Sequence, residues 1–171
     1  LADEAFSGER YAVIGHSTGG AIAQCMAARC PDHASACILS ATWDRVDEYM
    51  RTLFGLRLAL TERAPDLDAV LGHLLRTDPE DFIPRDEAVA LNPDVTRRRI
   101  EAILGHDGAE YLAGLTRPTL VIGAADDRIV PEHIVKRVHA RLPAGALALI
   151  ERGGHFFPQT ETETFLGHVL D

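Results

Sequence analysis

One stretch constrains this chain more than any other, Tyr-Ala-Val-Ile-Gly-His-Ser-Thr-Gly-Gly over residues 11–20. Ala12-Val13-Ile14 is a short apolar run, and an alanine-rich segment, residues 21–28, follows a glycine-flanked turn. The pattern predicts a buried strand, a sharp turn and a helix. Inside it stands Gly15-x-Ser17-x-Gly19, the pattern of a nucleophile elbow, in which a serine sits on a strained turn with its hydroxyl exposed. So tight a turn is expected to exclude side chains two residues before and two after the serine, which favours glycine at both places. Gly20 is expected to let the helix lie close to the sheet. The five letters alone fit any glycine-rich strand–turn–helix connection equally well; the apolar run before them and the helix after them favour the catalytic reading.

In chain order, residues 1–9 read as the end of a helix and a loop, and Tyr11–Ile14 as the first strand. The helix after the elbow stops near Cys30-Pro31, and Ala36–Ser40 is a second strand. Strands joined by a helix pair in parallel with a right-handed crossover. From Asp44 to Leu115 the strand pattern vanishes. Val46–Arg63 has helical spacing, with Tyr49, Leu53, Leu56 and Leu60 on one face, and Leu67–Leu75 is a second helix with Leu67, Val70, Leu71, Leu74 and Leu75 apolar. Thr77–Pro84 reads as a loop. Asn92 caps a helix with Pro93 at its first position, and a short helix covers Ala109–Ala113. Thr119–Gly123 resumes the strands, Pro131 starts a helix to about Leu142, and Ala146–Ile150 is the last strand. Thr160 is expected to start the terminal helix, with Glu163 as its capping-box partner. The alternation gives an α/β class with a mostly parallel sheet, in which ligands bind outside the carboxyl ends of the strands. Residues 1–43 then form a core segment with the elbow, 44–115 a helical insertion, and 116–171 a second core segment.

Three chemistry-bearing residues each follow a strand: Ser17, then Asp126 or Asp127, then His155. Parallel strands bring these loops to one edge. A serine hydroxyl needs a base within hydrogen-bond reach, an imidazole titrates near working pH, and a carboxylate orients it. Singly, either acid reads equally well as a solvated loop residue, and His155 as a loop histidine beside two glycines; in this order at three strand ends they read as one site. Thr18, next after the serine, offers a backbone N–H to an oxyanion. His16 reads as a residue that supports the turn or lines the pocket. The remaining histidines have no visible partners, and no pair of them makes a metal site.

The formal net charge is −9, and Arg97-Arg98-Arg99 is the one basic run, so nucleic acid is not an expected partner. That run reads as the solvated face of a helix. No apolar run is long enough to span a bilayer, which gives no expectation of a membrane partner. Cys25, Cys30 and Cys37 lack metal-ligand spacing and read as reduced thiols of a cytoplasmic protein.

Three segments, Gly15-His-Ser-Thr-Gly-Gly20, Leu120-Val-Ile-Gly-Ala-Ala-Asp-Asp-Arg-Ile-Val-Pro131 and Gly153-Gly-His-Phe-Phe157, resemble the catalytic segments of the α/β-hydrolase superfamily. The resemblance implies Ser17 as nucleophile, His155 as base, Asp127 as acid, the 44–115 insertion as a cap, a small-molecule substrate and no cofactor. The family's acid stands four residues before a proline, which selects Asp127 and keeps the strand length normal; counting from the strand glycine selects Asp126. Ala41-Thr-Trp43, Tyr49–Phe54 and Arg99–Asp107 are similar to the branch of 3-oxoadipate enol-lactone hydrolases and aminoacrylate hydrolases. On that likeness Trp43 becomes a candidate substrate contact, with cap-to-core packing as the plainer reading.

The resemblance also implies strands and a helix before the elbow that have no counterpart here. The first strand is then expected at an open edge with an apolar row exposed, and the second oxyanion donor is expected to be missing. A C-terminal portion of a longer protein accounts for this; a short form covered by a partner, a homo-oligomer included, is the other account. Functionally, the expectation is a serine hydrolase acting through an acyl-enzyme on an ester, lactone or related bond, with a non-catalytic binding module of the same fold, or an inactive fragment of a longer hydrolase, as the alternative.

Overall fold

The computed structural model describes residues 9–76 and 92–170. Four parallel strands, β1 (Tyr11–His16), β2 (Ala34–Ser40), β3 (Thr119–Ala124) and β4 (Ala146–Ile150), form one sheet in the order β1-β2-β3-β4. Their register sets Val13 beside Cys37, Ile38 beside Leu120, and Ile122 beside Ala148. Helix α1 (Thr18–Arg29) joins β1 to β2. Between β2 and β3 lie α2 (Glu48–Arg63), α3 (Pro65–Arg76), α4 (Pro93–Gly105) and α5 (Ala109–Ala113), with no named strand among the described residues there. Helix α6 (Glu132–His139) joins β3 to β4, and α7 (Phe157–Thr160) and α8 (Thr162–Leu170) close the chain.

The period-2 alternation of the strands divides the core in two. Val13, Cys37, Leu39 and Val121 share one cluster with Ala23 and Ala27 of α1, Ile134, Val135 and Val138 of α6, and Met50, Phe54, Ile100 and Ile103 of the inserted helices. Ile38, Ile122, Ala148 and Ile150 face the other way, onto Phe157, with Phe165 and Val169 of α8 against them. Glycine makes the first face close-packed, because a Cβ on Gly123 would lie 2.7 Å from Val135 Cγ2. Strand β1 is at the edge, and Ile14 is 56% exposed, in line with the apolar row expected there.

Four expectations need correction. Helix α2 begins at Glu48, two residues after Val46, because the Asp47 carboxylate caps it by accepting from the Met50 N–H at 2.9 Å. Its buried residues are Met50, Phe54 and Thr61, whereas Tyr49 and Leu56 are exposed. In α3, Asp68 and Gly72 are buried and Leu67, Val70 and Leu74 are exposed. The last long helix starts at Thr162, and the Thr160 hydroxyl donates to Gly153 O at 2.9 Å instead of capping it. Asn92 does cap α4, accepting from the Asp94 N–H. The loop expected over Thr77–Pro84, and the helix end expected over residues 1–8, lie outside the described residues.

Candidate active site

Ser17 follows β1 directly and has φ 55°, a left-handed conformation that a non-glycine residue adopts only when its surroundings hold it. Its N–H donates to Ser40 O at 2.8 Å, and the first turn of α1 closes back on Ser17 O. Although Ser17 occupies the N-cap position, its side chain does not cap the helix. The hydroxyl points away and is 2.8 Å from His155 Nε2.

The steric account of the glycines is half right. A Cβ on Gly15 would run into Gly19 O, 2.6 Å from Gly19 C and 2.7 Å from Ala23 Cβ. A Cβ on Gly19 would meet no described atom within 4 Å, so the crowding is one-sided. Gly20 has the role expected of it, since a Cβ there would lie 2.6 Å from Thr42 Oγ1, just past the end of β2.

His155 is buried and follows Gly153 and Gly154, both at positive φ (119° and 63°), where the chain turns out of β4. Its Nδ1 donates to Asp127 Oδ2 at 2.7 Å. Asp127 is itself buried, and its other oxygen accepts from the N–H groups of Ile129 (2.7 Å) and Val130 (3.0 Å). The carboxylate is thus fixed from behind while it orients the imidazole. Asp126 does something else. Its oxygens accept from the N–H groups of Gly153 (3.1 Å) and Gly154 (3.0 Å) and so pin the loop that carries His155. Of the two acids, Asp127 is the one the fold brings to the imidazole. Two successive glycine N–H groups needing an acceptor were the sequence signal for the other.

His16 lies beneath this pair. Its Nδ1 is 2.9 Å from Ser40 Oγ, and its ring is 5.1 Å from that of His155 and 5.7 Å from that of Phe156. Burial, reinforced by the neighbouring His155, lowers its pKa from 6.5 to about 4, so it is neutral at pH 7. Thr18 opens α1, and its N–H belongs to the first turn, whose donors the helix ladder leaves unpaired.

His16, Ser17, Thr18, His155 and Phe156 line one side of a cavity of about 440 Å³. The inserted helices supply much of the rest: Phe54 and Arg57 from α2, Arg76 from α3, and Thr96, Arg99, Ile100 and Ile103 from α4. Trp43 is not among the lining residues. It is buried, its carbonyl accepts from Gln24 Nε2 at 3.0 Å, and it lines a neighbouring cavity of about 360 Å³ that shares only Thr18 and Ile103 with the first. Arg57 and Arg76 have no signal in the sequence, because hydrophobic periodicity gives no weight to a cation that lines a cavity, while Arg99, from the run read as a solvated face, borders the cavity and is exposed. Among the described residues, no group of three or more His, Cys, Asp or Glu is arranged to hold a metal ion, and no helix is long and apolar enough to cross a membrane.

Comparison with known proteins decides the family. Residues 1–166 match the profile of the Alpha/beta hydrolase family. The chain belongs to that family. The RutD protein of Caulobacter sp. (strain K31), named for carbamate hydrolysis, is 33% identical to this α/β-hydrolase chain over 174 residues, covering 95% of it and 65% of its own length. RutD of Yersinia enterocolitica serotype O:8 is 28% identical over 173 residues, with 95% and 62% covered. The chain spans less than two thirds of the length of these curated relatives. Among solved structures, the enol-lactonase from Burkholderia xenovorans LB400 superposes with a TM-score of 0.84 at 18% identity, over 99% of this chain and 68% of that one. A hydrolase from Pseudomonas aeruginosa PA01 gives 0.83 at 23% identity, over 99% and 66%. At such identities the likeness is one of α/β-hydrolase fold.

Proposed function

We propose that this chain carries the reactive centre of a serine hydrolase that cleaves a small ester, lactone or carbamate through an acyl-enzyme. The observation that carries the reading is the continuous relay from Ser17 Oγ to His155 Nε2 (2.8 Å) and from His155 Nδ1 to Asp127 Oδ2 (2.7 Å) at the wall of the cavity. The names of the relatives support the range of bonds, and the family supports hydrolysis.

In the first half-reaction Ser17 Oγ attacks the substrate carbonyl carbon as its proton passes to His155 Nε2. The oxyanion forms beside the Thr18 N–H at the start of α1, where the helix dipole also favours negative charge. Collapse of this intermediate breaks the bond to the leaving alcohol or amine, which takes the proton back from His155. Water then adds to the Ser17 ester, His155 again receives the proton, and the acid departs as Ser17 recovers its hydrogen. Asp127 keeps its charge throughout and stabilises the imidazolium. Helices α2 to α5 serve as the cap, and the three free thiols suit a reducing cytoplasm.

An alkyl fluorophosphonate tests the reading. Peptide mapping is expected to place the label on Ser17, with Ser17→Ala unlabelled. A folded chain that takes no label, or a Ser17→Ala variant that labels equally, refutes it and leaves a binding module of this fold.

A further inference from the structure

The hydrogen-bonded relay of the active site does not stop at Asp127. Its Oδ1 accepts from the Ile129 N–H at 2.7 Å. On the far side of that same peptide unit, the Arg128 carbonyl accepts from the Tyr49 hydroxyl at 2.5 Å. The peptide is trans, and a trans peptide points its C=O and its N–H in opposite directions. Tyr49 therefore stands at one end of a single amide and the Asp127 carboxylate at the other.

Tyr49 lies in the first turn of α2, the helix that opens the inserted segment. Partial desolvation, reinforced by the nearby Asp127 charge, pushes its pKa above the ordinary tyrosine value, so the hydroxyl stays a donor at any working pH. A second tie joins the same turn to the core: Asp47, the cap of α2, pairs with His133 of α6 at 2.8 Å. The two ties differ in what they reach. The His133 pair fastens one helix to another. The Tyr49 bond fixes the plane of peptide 128–129, and that plane sets the aim of the Ile129 N–H at Asp127. A hydrogen bond to a carbonyl also polarises its amide and strengthens the N–H as a donor.

On the reading of Ser17 given above, we propose that Tyr49 is a positioning residue for the catalytic acid: it extends the Ser17–His155–Asp127 relay through one peptide unit into the inserted helices. Tyr49 does not line the cavity beside Ser17. It acts by holding the peptide that holds Asp127. Seating of α2 on the core then completes the aim of the acid, so the inserted helices and the reactive centre are coupled through the backbone of the acid loop.

Tyr49→Phe tests this, since it keeps the ring and removes the hydroxyl. Two readouts are taken on the full chain: the rate of Ser17 labelling by an alkyl fluorophosphonate, and the low-field proton NMR resonance of His155 Nδ1–H, assigned by its absence in His155→Gln. Tyr49→Phe is expected to label about 3- to 10-fold more slowly, the worth of one hydrogen bond, and to shift or broaden the resonance. His133→Gln removes the neighbouring tie and should leave the resonance in place and the rate within about 2-fold of the parent. An unchanged melting temperature shows that each variant folds. A rate and a resonance unchanged in Tyr49→Phe overturn the proposal. So does a slower rate with the resonance unmoved, or an equal loss in His133→Gln, because either reduces Tyr49 to a general fastening of α2. A parent that takes no label counts against Ser17 alone, since the resonance judges Tyr49 in either case.

Discussion

The elbow makes a sharp prediction because its two flanking glycines differ. At Gly15 an added Cβ meets the backbone of Gly19, with the carbonyl carbon at 2.6 Å, and Ala23 Cβ at 2.7 Å. Real Cβ contacts of this kind sit near 3.5–4.0 Å, so α1 must retreat by roughly 1 Å. Backbone cannot move aside as a long side chain can. Overpacking of this sort costs about 1–3 kcal/mol. For a chain of this size each kcal/mol is worth about 2–4 °C, so Gly15→Ala should lower the melting temperature by about 2–12 °C. Gly19 lies inside α1 with no described atom within 4 Å of an added Cβ, and its φ is not positive. Gly19→Ala should therefore gain about 0.5–1 kcal/mol from helix propensity and raise the melting temperature by a few degrees. Differential scanning calorimetry on the two variants reads both effects. Equal destabilisation by both substitutions would refute the one-sided account, and so would a Gly15→Ala variant as stable as the parent.

Asp127→Asn should lower kcat by on the order of 10⁴, because the imidazole loses its orienting charge; Asp126→Asn should loosen the Gly153-Gly154 turn and cost at least about ten-fold less in rate, as steady-state kinetics on any turned-over ester would read. His16 is held neutral by burial and by His155, with its pKa at about 4 instead of 6.5. A depressed value means that its stabilising effect is complete above pH 6.5 and is lost as the pH falls toward 4, by about 3 kcal/mol in all. Urea unfolding over that range should show this slope, and His16→Gln should flatten it; an identical slope in the variant would exclude His16 as its source. Buried Asp44 holds α6 and the segment after it through Arg137 (2.8 Å) and Arg141, and although burial pushes its pKa up, hydrogen bonds from Arg137, the Arg45 backbone and Arg141 overcome this and hold it low. Asp44→Ala should cost about 3 kcal/mol, and a loss below about 1 kcal/mol in denaturant titration would contradict a structural role for the pair.

The parts of this fold written as periodicity and turn chemistry were legible in the chain. Short apolar runs marked β2 to β4, the glycines marked the elbow and the His155 loop, and parallel strands then forced Ser17, the acid and His155 onto one edge. The inserted helices were harder for a definite reason. The inward stripe of α2 runs Met50, Phe54, Arg57, Thr61, and two of these are polar. Arg57 is satisfied by Asp68, and the Thr61 hydroxyl donates to Arg57 O. Apolar spacing therefore points to Tyr49 and the leucines beside it, while Tyr49 in fact turns to donate to Arg128 O at 2.5 Å. In the same way Asp68 is buried through its partner, leaving Leu67 and Leu74 of α3 outward. Between Asp126 and Asp127 the count to Pro131 favoured Asp127 and the count from the strand glycine Asp126; both accept hydrogen bonds within the site, and the direction of each carboxylate separates them.

The central claim is that Ser17, driven by His155 and Asp127, forms an ester with the acyl part of its substrate. Its most direct measurement is rapid quench of the chain with p-nitrophenyl acetate, followed by peptide mass spectrometry. The account predicts an acetyl adduct on the peptide containing Ser17, formed in a burst with p-nitrophenol release and lost in Ser17→Ala and His155→Ala. A folded chain with no adduct, or an adduct on another residue that persists in Ser17→Ala, would contradict it.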